Sequence, residues 1–226
     1  MEYNSRRYAF LVRFDAPMFE TVKKYLAPKT KERILEVGCN RGFLVKRMQE
    51  EEIDAWGVDI NPQAIKHGVT ENLQIADATD LPFPDASFDK IYSLHTIEHI
   101  PNTKKVFQEM ERVLKPEGKI VIVYPAELIR GMFALRSAIF VYRKPFLCRK
   151  IHVHNFSPKD IKQLTKGSRL EYVKSHFPVL FLPQYLTILK KCDAPTIRVM
   201  ATSRQNTLHS LQNIARMPAP YHIIGA

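Results

Sequence analysis

Short apolar segments alternate with amphipathic segments along the first 125 residues of the chain. In the amphipathic segments, hydrophobic residues recur every three or four positions with charged residues opposite, which is the pattern of helices. The apolar segments are rich in β-branched residues, as buried parallel strands tend to be; they are RILEV (33–37), AWGVD (55–59), LQIAD (73–77), KIYSL (90–94) and KIVIVY (119–124). The alternation predicts an α/β fold with a doubly wound, mostly parallel sheet and helices on both faces.

Proline, glycine and serine mark the predicted ends of several helices. Pro62 stands where a first helical turn accepts proline, and the segment KPEG (115–118) supplies the proline and glycine that end a helix. Ser157 followed by Pro158 predicts that another helix begins there. These boundaries fall between the predicted strands or after the last of them.

Length, composition and cysteine content limit the class of protein. With 226 residues and 45% hydrophobic content, the chain can bury one sizeable core, or one domain with a small appendage. Its three cysteines form no C-x-x-C pair, so they predict neither a disulfide framework nor a zinc knuckle. The amino-terminal segment is charged, and no run of about eighteen apolar residues occurs. We therefore expect a cytoplasmic chain with no membrane span.

Charge is distributed unevenly along the chain. Residues 1–125 contain 18 Lys+Arg and 19 Asp+Glu, whereas residues 126–226 contain 16 and 4. The formal net charge of +11 therefore comes from the second half. A neutral first half with a basic second half predicts contact with something anionic, such as phosphate, a lipid headgroup surface or RNA; solubility is the alternative explanation.

The segment that follows the first predicted strand has the composition of a ligand-binding turn. In an open parallel sheet, ligands bind beyond the carboxyl ends of the strands, and small residues there let the backbone approach the ligand. Gly38 and Gly42 meet that need. Asn40 occupies the position of a third glycine, and asparagine is one of the few other residues that tolerate a positive φ.

Acidic residues gather at the same predicted edge of the sheet. Asp59 ends the second strand, where a carboxylate can accept both hydroxyls of a ribose. Asp77 ends the third strand, and Glu36 precedes the glycine turn. This arrangement predicts a site for a neutral or cationic nucleoside rather than for a pyrophosphate.

Four segments resemble the successive motifs of the class I S-adenosylmethionine-dependent methyltransferases, in particular the branch that includes quinone-biosynthesis enzymes. They are ILEVGCNRG (34–42), GVDINPQAI (57–65), ADATDLPFPDASFDKIYSLHTIEHI (76–100) and EMERVLKPEGKIVIVYP (109–125). The resemblance spans residues 33–125 and implies a Rossmann-like fold. It also implies S-adenosyl-L-methionine as cofactor and S-adenosyl-L-homocysteine as product.

The resemblance assigns a role to nine residues of the cofactor site. The methionine moiety would be lined by Glu36, Gly38, Asn40 and Gly42, with Asn40 in place of the usual glycine. The nucleoside would be held by Asp59 at the ribose hydroxyls, with Ile60 beside it, and by Asp77 and Ala78 at the adenine. His95 would face the methyl group.

The same resemblance extends to the organisation of the rest of the chain. It implies a helix over APMFETVKKYL (16–26), a helical cover inserted after the fifth strand and an antiparallel closing strand. The methyltransferase domain would then cover residues 1–191, with its core at 28–125, the cover at 126–154 and the closing strands within 155–191. We expect a loosely packed or disordered tail at 192–226.

Methyl transfer from a sulfonium needs an aligned acceptor, and it needs a base only where the acceptor carries a proton. The candidate bases are His95, Glu98, His99, His152, His154 and Tyr124. His95 is preferred because it follows the fourth strand at the ligand edge and because histidine titrates near neutral pH. The candidate base, and the absence of an Asn/Asp-Pro-Pro-aromatic segment, favour O-methylation.

A divalent metal site is a less favoured interpretation of the same residues. His95, Glu98 and His99 have i, i+3, i+4 spacing, which would place three potential ligands on one helical face. His152 or His154 could complete such a set. The metal-free interpretation is preferred because this type of strand end is common among metal-free members of the resembling family.

The basic half begins with an apolar stripe that predicts the nature of the acceptor. The stripe has helical spacing and is interrupted by Arg130, Arg136, Arg143 and Lys144; it consists of Leu128, Met132, Leu135, Ile139 and Tyr142. Such a cover favours an amphiphilic acceptor, such as an isoprenoid or lipid-linked molecule reached at an anionic membrane surface. The alternative is a lid that packs on the core around any small-molecule acceptor. An RNA acceptor is less favoured because no RNA-binding module is recognisable, and a non-catalytic cofactor-binding module is the other alternative. The sequence predicts no particular oligomeric state.

Overall fold

The computed structural model describes residues 9–10, 15–127, 135–140, 143, 146, 151–177 and 183–193. Fourteen named elements lie within these ranges. In chain order they are α1 (Ala16–Leu26), β1 (Arg33–Val37), α2 (Phe43–Gln49), β2 (Asp54–Asp59), α3 (Pro62–Lys66), β3 (Leu73–Ile75), β4 (Phe88–Leu94), a 3₁₀ turn (Ile97–His99), α4 (Thr103–Val113), β5 (Leu114–Pro125), α5 (Leu135–Phe140), α6 (Pro158–Leu164), β6 (Leu170–His176) and β7 (Gln184–Lys191).

The strands form one seven-stranded sheet in the order β3-β2-β1-β4-β5-β7-β6. The pairs among β1 to β5 are parallel, whereas β7 runs antiparallel to both β5 and β6. The strand order reverses at β1 and β4, which is where α/β sheets open a crevice for ligands. The predicted mostly parallel sheet with an antiparallel closing strand is confirmed.

Hydrophobic residues pack against both faces of this sheet. On one face, α1 and α2 contribute Phe19 and Met48, which pack with strand residues such as Tyr92. On the other face, α4 contributes Met110 and α6 contributes Ile161. Helices therefore cover both faces, as the alternating pattern predicted, and the carboxyl ends of the parallel strands share one edge.

The helix ends follow the local signals in the sequence. The side chain of Asp15 accepts a hydrogen bond from Met18 N (3.0 Å) at the start of α1. Pro62 lies in the first turn of α3, where Asn61 caps the helix. Ser157 and Asp160 form a capping box at the start of α6. The helix predicted over residues 16–26 is thus confirmed.

Two strand boundaries differ from the prediction. β3 ends at Ile75 instead of residue 77, because Asp77 leaves the ladder and pairs only with Asp80 in an isolated bridge. β5 begins at Leu114 instead of residue 119, since Leu114 already pairs with Phe88 of β4. The helix stop predicted at residues 115–118 is confirmed, although these residues continue directly into the strand.

The predicted cover and tail fall only partly within the described residues. Leu135 and Ile139 lie one turn apart on α5 and are 40% and 42% exposed, in agreement with an apolar stripe. The remaining members of the stripe, Leu128, Met132 and Tyr142, lie outside the described residues, as does residue 194 onward of the predicted tail. The domain boundaries stay predictions. No helix in the described ranges is both long and apolar enough to cross a membrane.

Candidate functional site

The turn between β1 and α2 has a backbone conformation that few residues adopt. Gly38, Asn40 and Gly42 have φ values of 84°, 49° and 75°. The backbone N–H groups of Gly38 and Cys39 both donate to the carbonyl of Val58 on β2 (2.8 and 3.0 Å), which holds the turn against the neighbouring strand. The expectation that Asn40 replaces a glycine at positive φ is confirmed.

Gly38→Ala is expected to lower the free energy of unfolding by about 2–4 kcal/mol. Part of the cost is the left-handed backbone, about 1–2 kcal/mol. The rest comes from overpacking, since a Cβ at Gly38 would lie 2.1 Å from the hydroxyl oxygen of Thr96. The matched control is Gly167→Ala, where φ is +82° but no atom lies within 4 Å of the added Cβ. Urea denaturation of both variants would contradict this account if they lost equal stability.

Asp59 joins the turn after β1 to the turn after β2. Its Oδ2 accepts a hydrogen bond from Asn40 N (2.7 Å), and its Oδ1 accepts one from Asn61 N (2.8 Å). Burial raises the pKa of this carboxyl, and the two backbone N–H groups only partly offset that effect. A carboxylate held by two backbone groups is fixed in position and keeps further lone pairs for a ligand.

Glu36 is a buried carboxyl next to this turn. Only 3% of the residue is exposed, and the hydroxyl of Tyr92 donates to its Oε2 (3.1 Å). Burial raises its pKa to about 8; the charge of Asp59 acts in the same direction, while the bond from Tyr92 opposes it. Glu36 is therefore largely protonated at neutral pH in the ligand-free protein.

A cavity of about 890 Å³ opens at this edge of the sheet. Its volume lies within the range of about 300–1,000 Å³ that is usual for small-molecule sites. Of the nine residues assigned to the cofactor, eight line it: Glu36, Gly38, Asn40, Asp59, Ile60, Asp77, Ala78 and His95. The sequence therefore predicted a set of residues that the fold brings together.

Gly42 is the exception among the nine residues. It does not line the cavity; its φ of +75° begins α2, and a Cβ there would lie 2.6 Å from the side chain of Leu73. Its assignment to the methionine moiety therefore stays a prediction, which the cavity lining does not support. The structure gives Gly42 a packing role, because it lets α2 begin close to β3.

At the other end of the cavity, the loop after β3 is held by its own side chains. Asp77 Oδ1 accepts hydrogen bonds from the backbone N–H (2.8 Å) and the hydroxyl (2.7 Å) of Thr79. Ala78 is buried, and Ile60 is 50% exposed at the cavity. This end thus combines a fixed carboxylate with apolar surface, which suits a heteroaromatic ring that carries an amino group.

His95 follows β4 and faces the cavity. Its φ of 47° lies in the left-handed region, and its backbone N–H donates to Val123 O on β5 (2.9 Å). Nε2 lies 3.0 Å from Gln184 Oε1, while Nδ1 lies 3.7 Å from Glu98 Oε1. The side chain is 43% exposed. Desolvation by the cavity wall lowers the pKa of the ring, but Glu98 and then Gln184 outweigh it, so the net direction is upward.

The expectation that His95, Glu98 and His99 share a helical face is wrong. The helix here is a single 3₁₀ turn over Ile97–His99, and His95 precedes it in a left-handed conformation. Glu98 nevertheless approaches both histidines, with its Oε1 3.7 Å from His95 Nδ1 and 3.9 Å from His99 Nε2. His99 lines the cavity, whereas Glu98 is 1% exposed and does not.

The remaining candidate bases lie away from the cavity lining. Tyr124 is fully buried and shares a hydrogen bond with Thr187 Oγ1 (2.8 Å), and burial raises its pKa. His152 is buried, with its Nδ1 2.8 Å from Glu127 Oε1. His154 places its Nε2 3.1 Å from the carbonyl of Pro101. His95 and His99 are thus the candidate bases that reach the cavity.

Several residues of the site were missed by the sequence reasoning. Asp15 and Met18 of α1 line the cavity, although the helix was predicted without assigning them a role. Gln184, the partner of His95, lies 89 positions away in the sequence, and no local pattern marks it. An N-capping aspartate before an otherwise apolar helix face was the one signal that could have identified Asp15.

The core of this α/β unit matches a known family. Residues 35–122 match the family model described as a methyltransferase domain. The chain carries a class I S-adenosylmethionine-dependent methyltransferase domain. The resemblance identified from the four motifs is therefore confirmed, as is the cofactor class that it implied.

Curated relatives of the methyltransferase domain act on varied acceptors, according to their names. The chain is 32% identical over 102 residues to 27-O-demethylrifamycin SV methyltransferase of Amycolatopsis mediterranei. The matched segment covers 40% of this chain and 38% of that protein. The chain is also 32% identical over 108 residues to ajmaline N-methyltransferase of Rauvolfia serpentina (42% and 37%) and to chloroplastic tocopherol O-methyltransferase of Arabidopsis thaliana (41% and 30%). The matches thus span well under half the length of these relatives.

Solved structures resemble the methyltransferase domain in fold. The YcgJ protein of Bacillus superposes with a TM-score of 0.63 at 17% identity. The superposition covers 80% of this chain and 100% of the YcgJ chain. A SAM-dependent methyltransferase from Archaeoglobus fulgidus superposes with a TM-score of 0.60 at 23% identity, covering 77% and 93%. These similarities extend the Rossmann-like fold beyond the family match and include most of the described elements.

Proposed function

We propose that this chain transfers a methyl group from S-adenosylmethionine to a small-molecule acceptor, most favourably to an oxygen atom. The observation that carries the proposal is the single cavity that joins the turn after β1, the acidic residues Asp59 and Asp77, and His95. A cofactor-binding wall and a candidate base therefore border the same space.

The residues of the cavity fit the cofactor in size and charge. The cavity has the volume of a small-molecule site, and Gly38, Cys39 and Asn40 of the turn line it. The acidic residues of the lining are Asp15, Glu36, Asp59 and Asp77, and no lysine or arginine occurs among the described lining residues. An acidic lining favours a ligand that carries a sulfonium and an ammonium group over one that carries phosphates.

The division of the site follows from its geometry and from the family assignment. Glu36, Gly38 and Asn40 would hold the methionine part. Asp59 and Ile60 would hold the ribose, and the adenine would lie against Asp77 and Ala78. In this arrangement the methyl group points toward the part of the cavity bordered by His95, which is where an acceptor must lie.

The reaction requires few chemical groups from the protein. S-adenosylmethionine supplies an activated methyl group, so that a bond from methyl to the acceptor oxygen forms as the sulfur–methyl bond breaks and S-adenosylhomocysteine is released. His95 would take the acceptor's proton on Nδ1, the ring nitrogen that makes no hydrogen bond with the described residues. Gln184 holds the opposite nitrogen, and the Glu98 carboxylate stabilises the imidazolium that forms.

Apolar residues of the cavity support an amphiphilic substrate. Met18, Ile100 and Val153 line the same cavity as His95 and His99. On the predicted cover, large apolar side chains are exposed at Leu135 (40%), Ile139 (42%) and Phe146 (92%). A cationic segment with exposed apolar residues suits the surface of an anionic membrane, where such a substrate would be met.

Transfer of radiolabelled methyl into a host-cell extract tests the proposed activity. We expect label in the organic phase with the unmodified chain and none with Asp59→Ala. That change removes the carboxylate that accepts two backbone hydrogen bonds and that would accept hydrogen bonds from the ribose hydroxyls. Asp54→Ala is the matched control, since Asp54 lies on the same strand at the opposite end and its side chain is 50% exposed. Asp59→Asn provides a second variant that preserves the shape of the side chain.

The distribution of the label distinguishes the alternatives. Label confined to the aqueous phase would contradict an amphiphilic acceptor, and its loss on nuclease treatment would instead support RNA, which the 16 Lys+Arg of residues 126–226 could contact. Binding of S-adenosylmethionine without any transfer would support a non-catalytic module. In a sedimentation assay, failure to bind anionic liposomes would refute the membrane contact.

A further inference from the structure

We propose that a second cavity, near the amino ends of the central parallel strands, binds the phosphate group of a small phosphate ester. This cavity has a volume of about 310 Å³ and lies between the end of α1, the first half of β5 and the strands β6 and β7. Its lining shares no residue with the cofactor cavity. The proposal therefore concerns a site of its own and does not depend on the proposed methyl transfer.

Four lysines from four different elements line the second cavity. They are Lys24 of α1, Lys119 of β5, Lys174 of β6 and Lys190 of β7, and Glu117 is the acidic member of the described lining. These five residues carry a formal net charge of +3, whereas the described lining of the cofactor cavity contains no lysine or arginine. The two cavities therefore favour ligands of opposite charge.

Three of the four lysines have no carboxylate partner among the described residues. The ion pair within the lining joins Lys190 to Glu117. Lys119 Nζ donates to two backbone carbonyls at the end of α1 (3.2 and 3.3 Å), and neither Lys24 nor Lys174 forms an ion pair in the described ranges. Ammonium groups without a carboxylate partner are suited to bind the oxygens of a phosphate.

Positive charges crowd around Lys119. Burial and then the charge of Lys90 lower the pKa of its ammonium group; Glu32 acts in the opposite direction, while Lys174 and Lys29 lower the pKa further. The ammonium groups thus repel one another, and an anion bound among them would offset that repulsion. A phosphate monoester carries more charge near neutral pH than a carboxylate does, so it offsets the repulsion better.

Apolar surface beside the lysines indicates that the phosphate carries an organic group. Tyr25, Val173 and Ile188 belong to the same lining, and Val173 is 49% exposed. The ring of Tyr25 packs on the ring of His176, with centroids 4.4 Å apart, and Lys24 Nζ lies 5.7 Å from the centroid of Tyr25. A volume at the lower end of the usual range for small-molecule sites fits a phosphate with one small apolar or aromatic group. A soluble ester and a phospholipid headgroup both supply this chemistry.

Phenyl phosphate is a suitable probe because it joins a phosphate monoester to one aromatic ring. Calorimetric titration of the full chain at low ionic strength should show one bound molecule per chain, with weaker binding of inorganic phosphate. Lys119→Gln/Lys174→Gln and Lys24→Gln/Lys174→Gln should each weaken binding about tenfold or more, since each pair removes two charged donors. Lys24 and Lys174 are exposed, so the second pair keeps the test valid if the first does not fold.

Lys104→Gln/Lys159→Gln is the matched control. Both lysines are exposed and line neither cavity, and their replacement removes the same amount of charge. This variant should bind phenyl phosphate as the unmodified chain does, and saturation with S-adenosylhomocysteine should leave the binding unchanged. The proposal would be overturned by absence of binding, by equal weakening in the control and test variants, or by displacement with S-adenosylhomocysteine.

Vesicles distinguish the two sources of the phosphate. Displacement of phenyl phosphate by phosphatidic acid vesicles, and not by phosphatidylcholine vesicles, would assign the site to a lipid headgroup. Retention of phenyl phosphate in the presence of both kinds of vesicle would assign it to a soluble ester. Because the readout is displacement from the second cavity, contact of the predicted cover with the vesicles does not affect it.

Discussion

At pH 8 and without ligand, the Glu36→Gln variant is expected to be about 3 kcal/mol more stable than the unmodified protein. Glu36 is 3% exposed, and burial raises its pKa from 4.5 to about 8. One pKa unit corresponds to about 1.4 kcal/mol, and the cost of burying the additional N–H₂ group of glutamine reduces this gain. The variant keeps the acceptor for the Tyr92 hydroxyl while removing the ionisation.

The sign follows from proton binding in the two states. Between pH 4.5 and about 8, folded Glu36 keeps a proton that the unfolded chain has lost, so the stability of the unmodified protein falls as pH rises. Glutamine does not titrate, and the advantage of the variant should therefore be near zero at pH 5, grow toward pH 8 and level off above it. Urea denaturation across this range measures the difference. Glu20→Gln, at an exposed position of α1, should change stability by less than about 0.5 kcal/mol at every pH.

The same substitution should weaken cofactor binding. In the proposed binding mode, the cationic methionine moiety would lie next to Glu36 and favour the ionised carboxyl, so binding to the unmodified protein at pH 7 should release protons. Glu36→Gln should bind S-adenosylmethionine at least tenfold more weakly and release none at this position. Calorimetry in buffers of different ionisation enthalpy measures the proton count. A variant that is less stable than the unmodified protein at pH 8 would show that Glu36 is ionised and stabilised in the ligand-free state.

His95→Asn is expected to lower kcat by about 10²- to 10⁴-fold, the usual contribution of a general base. Asparagine is the suitable replacement because it tolerates the φ of 47° at this position better than alanine does, and its amide cannot accept a proton. Since Asp59 and the turn after β1 are untouched, the dissociation constant of S-adenosylmethionine should change by less than about threefold. Steady-state kinetics and calorimetry separate the two effects.

His154→Ala serves as the control for the loss of a histidine near the site, and its kcat should remain within about twofold of the unmodified value. Turnover of His95→Asn at the unmodified rate would remove His95 as the base and favour an acceptor that needs none. A large rise in KM with unchanged kcat would instead assign His95 to acceptor binding.

The main elements of the fold could be predicted because their signals are local. The five parallel strands are short β-branched runs separated by helical spacing, and each one was placed within a few residues of its position. The largest boundary error, at the start of β5, arose because Leu114 pairs with Phe88, a long-range contact that cancels the effect of the adjacent proline and glycine. Pairing between distant residues overrides local preference in such places.

The site was predictable to the extent that it lies at strand ends. Glu36, Asp59 and Asp77 were identified because parallel strands deliver their carboxyl ends to one edge. The environment of His95 could not be predicted in the same way. The i, i+3, i+4 spacing indicated one helical face, but the helix here is a single 3₁₀ turn, and His95 precedes it in a left-handed conformation. The contacts of His152 and Gln184 depend on loops and strands that follow β5 by many residues.

The order in which the strands are made has a consequence for synthesis of the chain. β5 pairs with β7, which is the last strand described, and β6 is added outside β7. Until residue 191 has left the ribosome, the nascent sheet exposes the whole edge of β5, including the backbone groups of Ile120 and Ile122, which pair with Leu189 and Thr187 in the finished sheet. An unpaired apolar edge of this kind promotes association with other chains. Ribosome stalling or truncation before residue 184 should therefore yield an aggregation-prone product that requires a chaperone.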